Sequence, residues 1–157
     1  MITYRAAKFD DVEKIHKLLN DYAKAGLMLP RSRNAIYENL RDYIVAMQGS
    51  HLVGCGALHF VWDRLAEIRS LAVDPELKCT GIGRNIVELL EKEGIERGVK
   101  MFFTLTYQPG FFAKCNYIET AKEKLPQKVW KECVYCPQYP YCNEIAFVKT
   151  TVDYQPG

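Results

Sequence analysis

A strand-like apolar run, Ile68 to Val73, leads through Asp74-Pro75 into Lys78-Cys79-Thr80-Gly81-Ile82-Gly83-Arg84, and from there into an amphipathic helical stretch reaching about Arg97. Proline cannot donate to a strand ladder and restricts the residue before it, so Asp74-Pro75 ends the strand. After the helix, Lys100 to Thr106 reads as another buried strand. A strand, a crossover helix and a second strand make a parallel unit whose helix must lie on a sheet. The two loop glycines let backbone N–H groups converge on the helix N-terminus, where unpaired donors and the helix dipole favour a phosphate-bearing ligand. The ligand this predicts is a pyrophosphate. A strand-to-helix turn also needs glycine for steric reasons alone, so the spacing by itself leaves both readings open.

The chain has 157 residues, 48% of them hydrophobic and 25% charged, which predicts one domain over residues 1–157 with a core that needs no staples. No apolar run approaches the roughly 20 residues that span a bilayer. Met1-Ile2-Thr3-Tyr4-Arg5 enters structured-looking sequence without a signal-peptide apolar region, so the expected location is the cytoplasm. Twenty-one basic against nineteen acidic residues give a charge of +2 with no basic run, which argues against nucleic acid or a membrane surface as partner. Six cysteines in a reducing compartment point to free thiols or metal ligands rather than disulfides.

Ile2, Tyr4 and Ala6 alternate with polar residues as a first strand does. Asp10 or Asp11 can cap a helix carrying Val12, Ile15, Leu18, Leu19 and Tyr22 on one face, with Gly26 as its stop. Ser32 can cap a second helix through Ile36 and Leu40. Tyr43 to Met47, His51 to Val61 and Leu65 to Val73 then read as an antiparallel meander, turning at Gln48-Gly49-Ser50 and Trp62-Asp63-Arg64. The helix after the glycine loop presents Ile82, Ile86, Leu89 and Leu90, with Gly94 in line to permit close packing. Pro109 to Cys115 reads as a short helix, and Tyr117-Ile118 and Glu144 to Val148 as final strands.

This order of elements, with Ala66-Glu67-Ile68-Arg69-Ser70-Leu71-Ala72-Val73-Asp74-Pro75 leading into Lys78, Gly81 and Gly83, resembles the GNAT superfamily of acetyl-CoA-dependent N-acetyltransferases. The family signature is Gln or Arg, two residues, Gly, one residue, then Gly or Ala. Phe111-Phe112-Ala113-Lys114-Cys115-Asn116-Tyr117 is similar to the family's late helix-to-strand element, so the resemblance covers nearly the whole chain. It implies an α/β GNAT fold: a mixed, mostly antiparallel sheet of six to seven strands, splayed between strands four and five, with helices on both faces. It also implies acetyl-CoA as co-substrate, held by Lys78, Cys79, Thr80, Gly81, Ile82, Gly83 and Arg84 at the pyrophosphate. The edge of strand four at Leu71, Ala72 and Val73 would hold the pantetheine, with Phe112 nearby. Cys79 stands where relatives often have glycine, and Phe112 where many have a tyrosine proposed to protonate the departing thiolate. In the catalytic roles, the resemblance places Glu67 as base, usually through water, and the Leu71 N–H as oxyanion donor. Glu67 can equally be a solvated strand carboxylate or a partner of Arg69. Tyr107 and Tyr117 are candidate donors to the thiolate.

Leu27-Met28-Leu29-Pro30-Arg31-Ser32, Leu105-Thr106-Tyr107 and Lys128-Val129-Trp130-Lys131-Glu132-Cys133 are similar to the short amino-acid acetyltransferases related to the N-acetylglutamate synthase catalytic domain. That branch implies Arg31 and Ser32 beside the amino-acid site, Arg31 pairing a substrate carboxylate, with Arg69 and Lys128 adding positive charge. The acceptor implied is a small carboxylate-bearing amine such as glutamate or glutamine, and the pathway arginine biosynthesis. Gln108 departs from the larger synthases, and the expectation is of a domain without the amino-acid-kinase half of those synthases. A homodimer is compatible with this reading. Arg31 can also be an exposed cation beside a Ser32 that only caps a helix. Cys133, Cys136 and Cys142 could give three thiolates to zinc, the fourth ligand coming from His59, Cys115 or water; a closed zinc site shows four clear ligands, so reduced structural thiols are the favoured reading and no metal is expected. The competing functions are a non-catalytic CoA sensor or interaction domain, and a protein N-terminal or lysine acetyltransferase.

Overall fold

The computed structural model describes residues 1–125 and 144–151, and the statements below concern those residues. Its strands are β1 (Ile2–Ala6), β2 (Tyr43–Gln48), β3 (His51–Trp62), β4 (Leu65–Val73), β5 (Met101–Thr106), β6 (Ile118–Thr120) and β7 (Ile145–Thr150). The α-helices are α1 (Val12–Lys24), α2 (Arg33–Glu38), α3 (Ile82–Glu96) and α4 (Pro109–Lys114). The strands form one mixed sheet in the order β1-β2-β3-β4-β5-β7-β6. This is the implied α/β architecture, with the larger of the two strand counts.

Strand alternation sends successive side chains to opposite faces, and each face finds its own helices. Val45 and Met47 of β2 pack with Val12, Ile15, Leu19 and Tyr22 of α1 and Ile36 of α2. Ala46 between them faces the other way and joins Ile82, Ile86, Val87 and Leu90 of α3. The face of α3 differs in one position from the periodicity. Val87 is buried where Leu89, only partly buried, was expected, and Gly94 lies against the Phe102 ring as its place on that face implies.

At the start of α1, Asp11 does not cap by its side chain. Phe9–Asp11 form a 3-10 turn, and the Asp11 carboxylate accepts from the Lys8 N–H at 2.7 Å and from both Arg5 guanidinium nitrogens at 2.7 and 2.9 Å. A bidentate guanidinium reaching over from β1 binds the carboxylate more strongly than one helix amide would. Gly26, at φ +76°, ends the helix region as expected, and Ser32 caps α2 by accepting from the Ala35 N–H at 3.1 Å.

The pairing of β4 with β5 is parallel and covers only Leu65↔Met101, Ala66↔Phe102 and Glu67↔Phe103. Beyond that, β5 continues beside β7 as far as Thr106↔Ile145, while β4 continues beside β3 as far as Val73↔Gly54. The two strands therefore part after Glu67 and leave a wedge that opens toward their C-terminal ends. Among the described residues, no helix is long and apolar enough to cross a membrane.

Candidate active site

The wedge is the mouth of a cleft of ≈1280 Å³. Its walls are residues 67–73 of β4, 104–108 at the end of β5, the connection Leu27–Arg31 after α1, the loop entering α3, and α4. Among the described residues, six cationic side chains line it (Arg31, Arg69, Lys78, Arg84, Lys114 and Lys122), against three carboxylates (Glu67, Glu123 and Glu144). A cleft of that sign concentrates anionic ligands.

Its β4 wall is not a regular strand. The register with β3 shifts between Cys55 and Ala57, and Ser70 takes φ +56°, a left-handed conformation that costs about 1–2 kcal/mol for a residue with a Cβ. Two buried groups hold it there. The Tyr43 hydroxyl donates to Ser70 Oγ at 3.2 Å, and the Cys55 thiol donates to the Ser70 carbonyl at 3.4 Å. Burial pushes the Cys55 thiol up to about 12, so it stays protonated and serves as a donor. Opposite the bulge is Gly56, where a Cβ would come within 2.6 Å of Ile86 and 3.2 Å of Leu71, so only glycine leaves room for both. Past the bulge, the Asp74 N–H bonds the Val53 carbonyl on β3 at 2.8 Å. Alternation then turns the N–H and C=O of Val73 the other way, into the wedge.

The end of the cleft expected from the sequence to take a phosphate is built by the loop. Asp74 caps a short 3-10 turn over Pro75–Leu77, accepting from the Glu76 N–H at 3.0 Å. Cys79 sits at φ +66° and Gly81 at φ +92°, and α3 starts at Ile82 without a side-chain cap. Cys79 therefore keeps the left-handed geometry that glycine would adopt, at a strain cost, and its side chain is exposed. Thr80 lies outside the cleft lining; its hydroxyl donates to the Leu77 carbonyl. Gly83 lets α4 approach, since a Cβ there would meet the Phe111 ring at 3.1 Å. Arg84 ties the two helices by donating to the Lys114 carbonyl at 2.7 Å.

At the narrow end, Glu67 and Arg69 share one face of β4, with Arg69 Nη1 3.6 Å from Glu67 Oε1 and both side chains largely enclosed. Arg31, Leu71, Ala72, Val73, Lys78, Tyr107 and Phe112 also line the cleft. The structure thus brings together Glu67, Leu71, Tyr107, Arg31, Arg69 and most of the predicted coenzyme residues. Ser32 lies outside, at the cap of α2.

Tyr117 requires correction as a thiolate donor. It is buried behind α4, its hydroxyl donates to Glu91 Oε2 at 2.8 Å, and burial and then the Glu91 charge raise its pKa further above the ordinary phenol value. It is not part of the cleft wall. Of the fourth zinc ligands considered, His59 Nδ1 lies 2.9 Å from Asp42 Oδ2, and burial raises the pKa of the Cys115 thiol. Lys128, Cys133, Cys136 and Cys142 fall outside the described residues. Sequence reasoning passed over Tyr22, Thr104, Thr106, Lys122 and Glu123 as cleft residues. Tyr22 looked like any apolar position of α1, and nothing in a linear spacing marks which strand or loop ends converge across a wedge.

Residues 12–117 match the family described as Acetyltransferase (GNAT) family. An uncharacterised N-acetyltransferase of Chlorobaculum tepidum is 44% identical over 146 residues, covering 93% of this chain and 94% of that protein. An amino-acid acetyltransferase of Mycobacterium tuberculosis is 34% identical over 131 residues, covering 82% of this chain and 75% of its own length. Among solved structures, a Mycobacterium tuberculosis protein in complex with CoA and a second ligand superposes with a TM-score of 0.82 at 27% identity, over 96% of this chain and 99% of that one. N-acetylglutamate synthase from Neisseria gonorrhoeae, complexed with coenzyme A and N-acetyl-glutamate, shares the fold at a TM-score of 0.86 and 22% identity; the match spans 96% of this chain and 35% of that one.

Proposed function

Because the chain belongs to the GNAT acetyltransferase family and uses acetyl-CoA as its co-substrate, we propose that it acetylates the amino group of a small carboxylate-bearing amino acid, glutamate and glutamine being the first acceptors to test. The observation that carries this reading is the shape of the wedge. One cleft joins an uncapped helix N-terminus to the enclosed Glu67–Arg69 pair, with Arg31 on its wall. A pyrophosphate fits the first end, and an amine with a carboxylate beside it fits the second. The name of the Mycobacterium tuberculosis relative supports an amino acid as acceptor.

The reaction is a direct attack in a ternary complex. The amine nitrogen forms a bond to the thioester carbon, electrons move to the carbonyl oxygen, and the C–S bond breaks as the tetrahedral species collapses. The amine must be neutral to attack. Glu67, directly or through one water, takes the proton it loses. The main-chain N–H of Leu71, beside the bulge, is assigned to the developing oxyanion. Arg31 and Arg69 hold the substrate carboxylate, and the backbone from Lys78 to Arg84 holds the pyrophosphate. Phe112 has no proton to give, so Tyr107 is the side chain assigned to the departing thiolate; a thiolate is itself a tolerable leaving group and can also depart unassisted.

The test is acceptor-dependent thiol release from acetyl-CoA, run with a panel of amino acids, amines and short peptides, with and without a chelator. Release with an acidic or amide amino acid, unaffected by the chelator, is the expected result. CoA binding without release to any acceptor would make the chain a sensor, and release only with peptides would make it a protein acetyltransferase.

A further inference from the structure

The edge of β4 that faces the wedge is already occupied. Tyr22, from the last turns of α1, donates its hydroxyl to the Val73 carbonyl at 2.7 Å and accepts from the Val73 N–H at 3.0 Å. A single phenol oxygen thus makes both of the bonds that a neighbouring strand, or an amide of an extended ligand, would make to that residue. The same ring has the Lys78 ammonium over its face, 5.3 Å from the centroid. One side chain holds a main-chain position facing the wedge and the cation that begins the phosphate loop.

We propose that Tyr22 is an internal competitor for the coenzyme: its hydroxyl stands in for a pantetheine amide at Val73, and acyl-CoA must displace it to lie along β4. This rests on the reading of β4 as the pantetheine wall. The ring is only 5% exposed, wedged among the side chains that α1 buries against the sheet. A displaced hydroxyl therefore leaves two good partners in a place where water is scarce, and a buried polar group without partners is costly. Coenzyme affinity is lowered by that cost. Tyr22 is accordingly a positioning residue for the coenzyme, acting through Val73, and it tunes affinity without touching the reacting atoms.

The replacement Tyr22→Phe keeps the ring and removes the competitor. Calorimetric titration should show CoA binding about 3- to 10-fold tighter in Tyr22→Phe, the change expected for about one net hydrogen bond. Binding of 3′-phosphoadenosine 5′-diphosphate, which is CoA without its pantetheine arm, should change less than twofold. Equal or weaker CoA binding by the variant overturns the proposal, as does an equal gain for the fragment. On the unmodified protein, carbon-13 at tyrosine Cζ gives an independent reading: the resonance that vanishes in Tyr22→Phe should shift with CoA and stay in place with the fragment. A resonance unmoved by CoA overturns the proposal even if the variant folds poorly. Absence of any CoA binding by the wild type would instead sink the reading of the wedge as a coenzyme site, so the two failures are distinct.

Discussion

Glu67 and Arg69 lie two apart on a strand, so their side chains share a face, and the guanidinium at 3.6 Å fixes where the carboxylate points. If Glu67 takes the proton of the attacking amine, its removal matters most when that amine is protonated in solution, which is at low pH. Glu67→Gln should lower kcat by about 10²-fold near neutrality, the deficit narrowing as pH rises, with the CoA dissociation constant nearly unchanged. A kcat profile unaltered across pH would remove Glu67 from the mechanism. A second residue-scale consequence concerns Cys79. Its φ of +66° carries a steric cost of about 1–2 kcal/mol, partly offset in any glycine variant by the about 0.4–1 kcal/mol of extra freedom glycine has when unfolded. Cys79→Gly should therefore gain on the order of 0.5–1 kcal/mol in urea unfolding. A loss would mean that the thiol side chain makes a stabilising contact.

At the scale of elements, α3 sits as close to the sheet as it does because Gly94 faces Phe102. A Cβ at Gly94 would lie 2.7 and 2.8 Å from two ring carbons of a side chain that is itself buried. Overpacking there costs about 1–3 kcal/mol, while alanine returns about 1 kcal/mol of helix propensity. Gly94→Ala should thus destabilise the fold by up to roughly 2 kcal/mol, and a stabilised variant in urea unfolding would mean the ring can move aside. The sequence carried this much of the architecture. Strand β4 falls at Leu65–Val73 as its apolar run reads, and both ends of the crossover are marked by Asp74-Pro75 and Gly98. Local signals were sufficient where one residue's chemistry decides, as at Ser32 and Gly26. They were insufficient where the answer depends on a distant partner: Asp11 is taken by Arg5, Ser70 is bulged by Tyr43 and Cys55, and Tyr117 turns to Glu91 instead of the cleft. The loop proposed for the coenzyme was legible because its signal lies in main-chain conformation. The proposed acceptor end was less so, since it is assembled from the connection after α1, from β4 and from the end of β5, across a gap that no spacing records.

That gap divides the whole molecule. With only three residue pairs joining β4 to β5, the sheet is two half-sheets, and α3 is the beam laid across both. It packs on β3 and β4 through Ile82, Ile86 and Leu90, and reaches the other half through Glu91. Glu91 accepts from the Tyr117 hydroxyl at 2.8 Å and from Lys149 of β7 at 3.2 Å, and Lys149 also donates to the Cys115 carbonyl at 3.2 Å. An ion pair outside the cleft wall thus also ties the two halves together. Lys149→Met keeps the length of the side chain and leaves a largely buried carboxylate without its cation, which should cost on the order of 2–3 kcal/mol at pH 7. Urea unfolding at pH 7 should show that deficit for Lys149→Met against wild type. A Lys149→Met variant as stable as wild type, with Lys149→Ala destabilised, would assign the contribution to packing of the lysine stem over the Tyr117 ring rather than to the pairing of charge. With the ion pair gone, the half-sheets would be held less firmly, and the CoA dissociation constant of Lys149→Met should rise even though Lys149 lies outside the cleft wall.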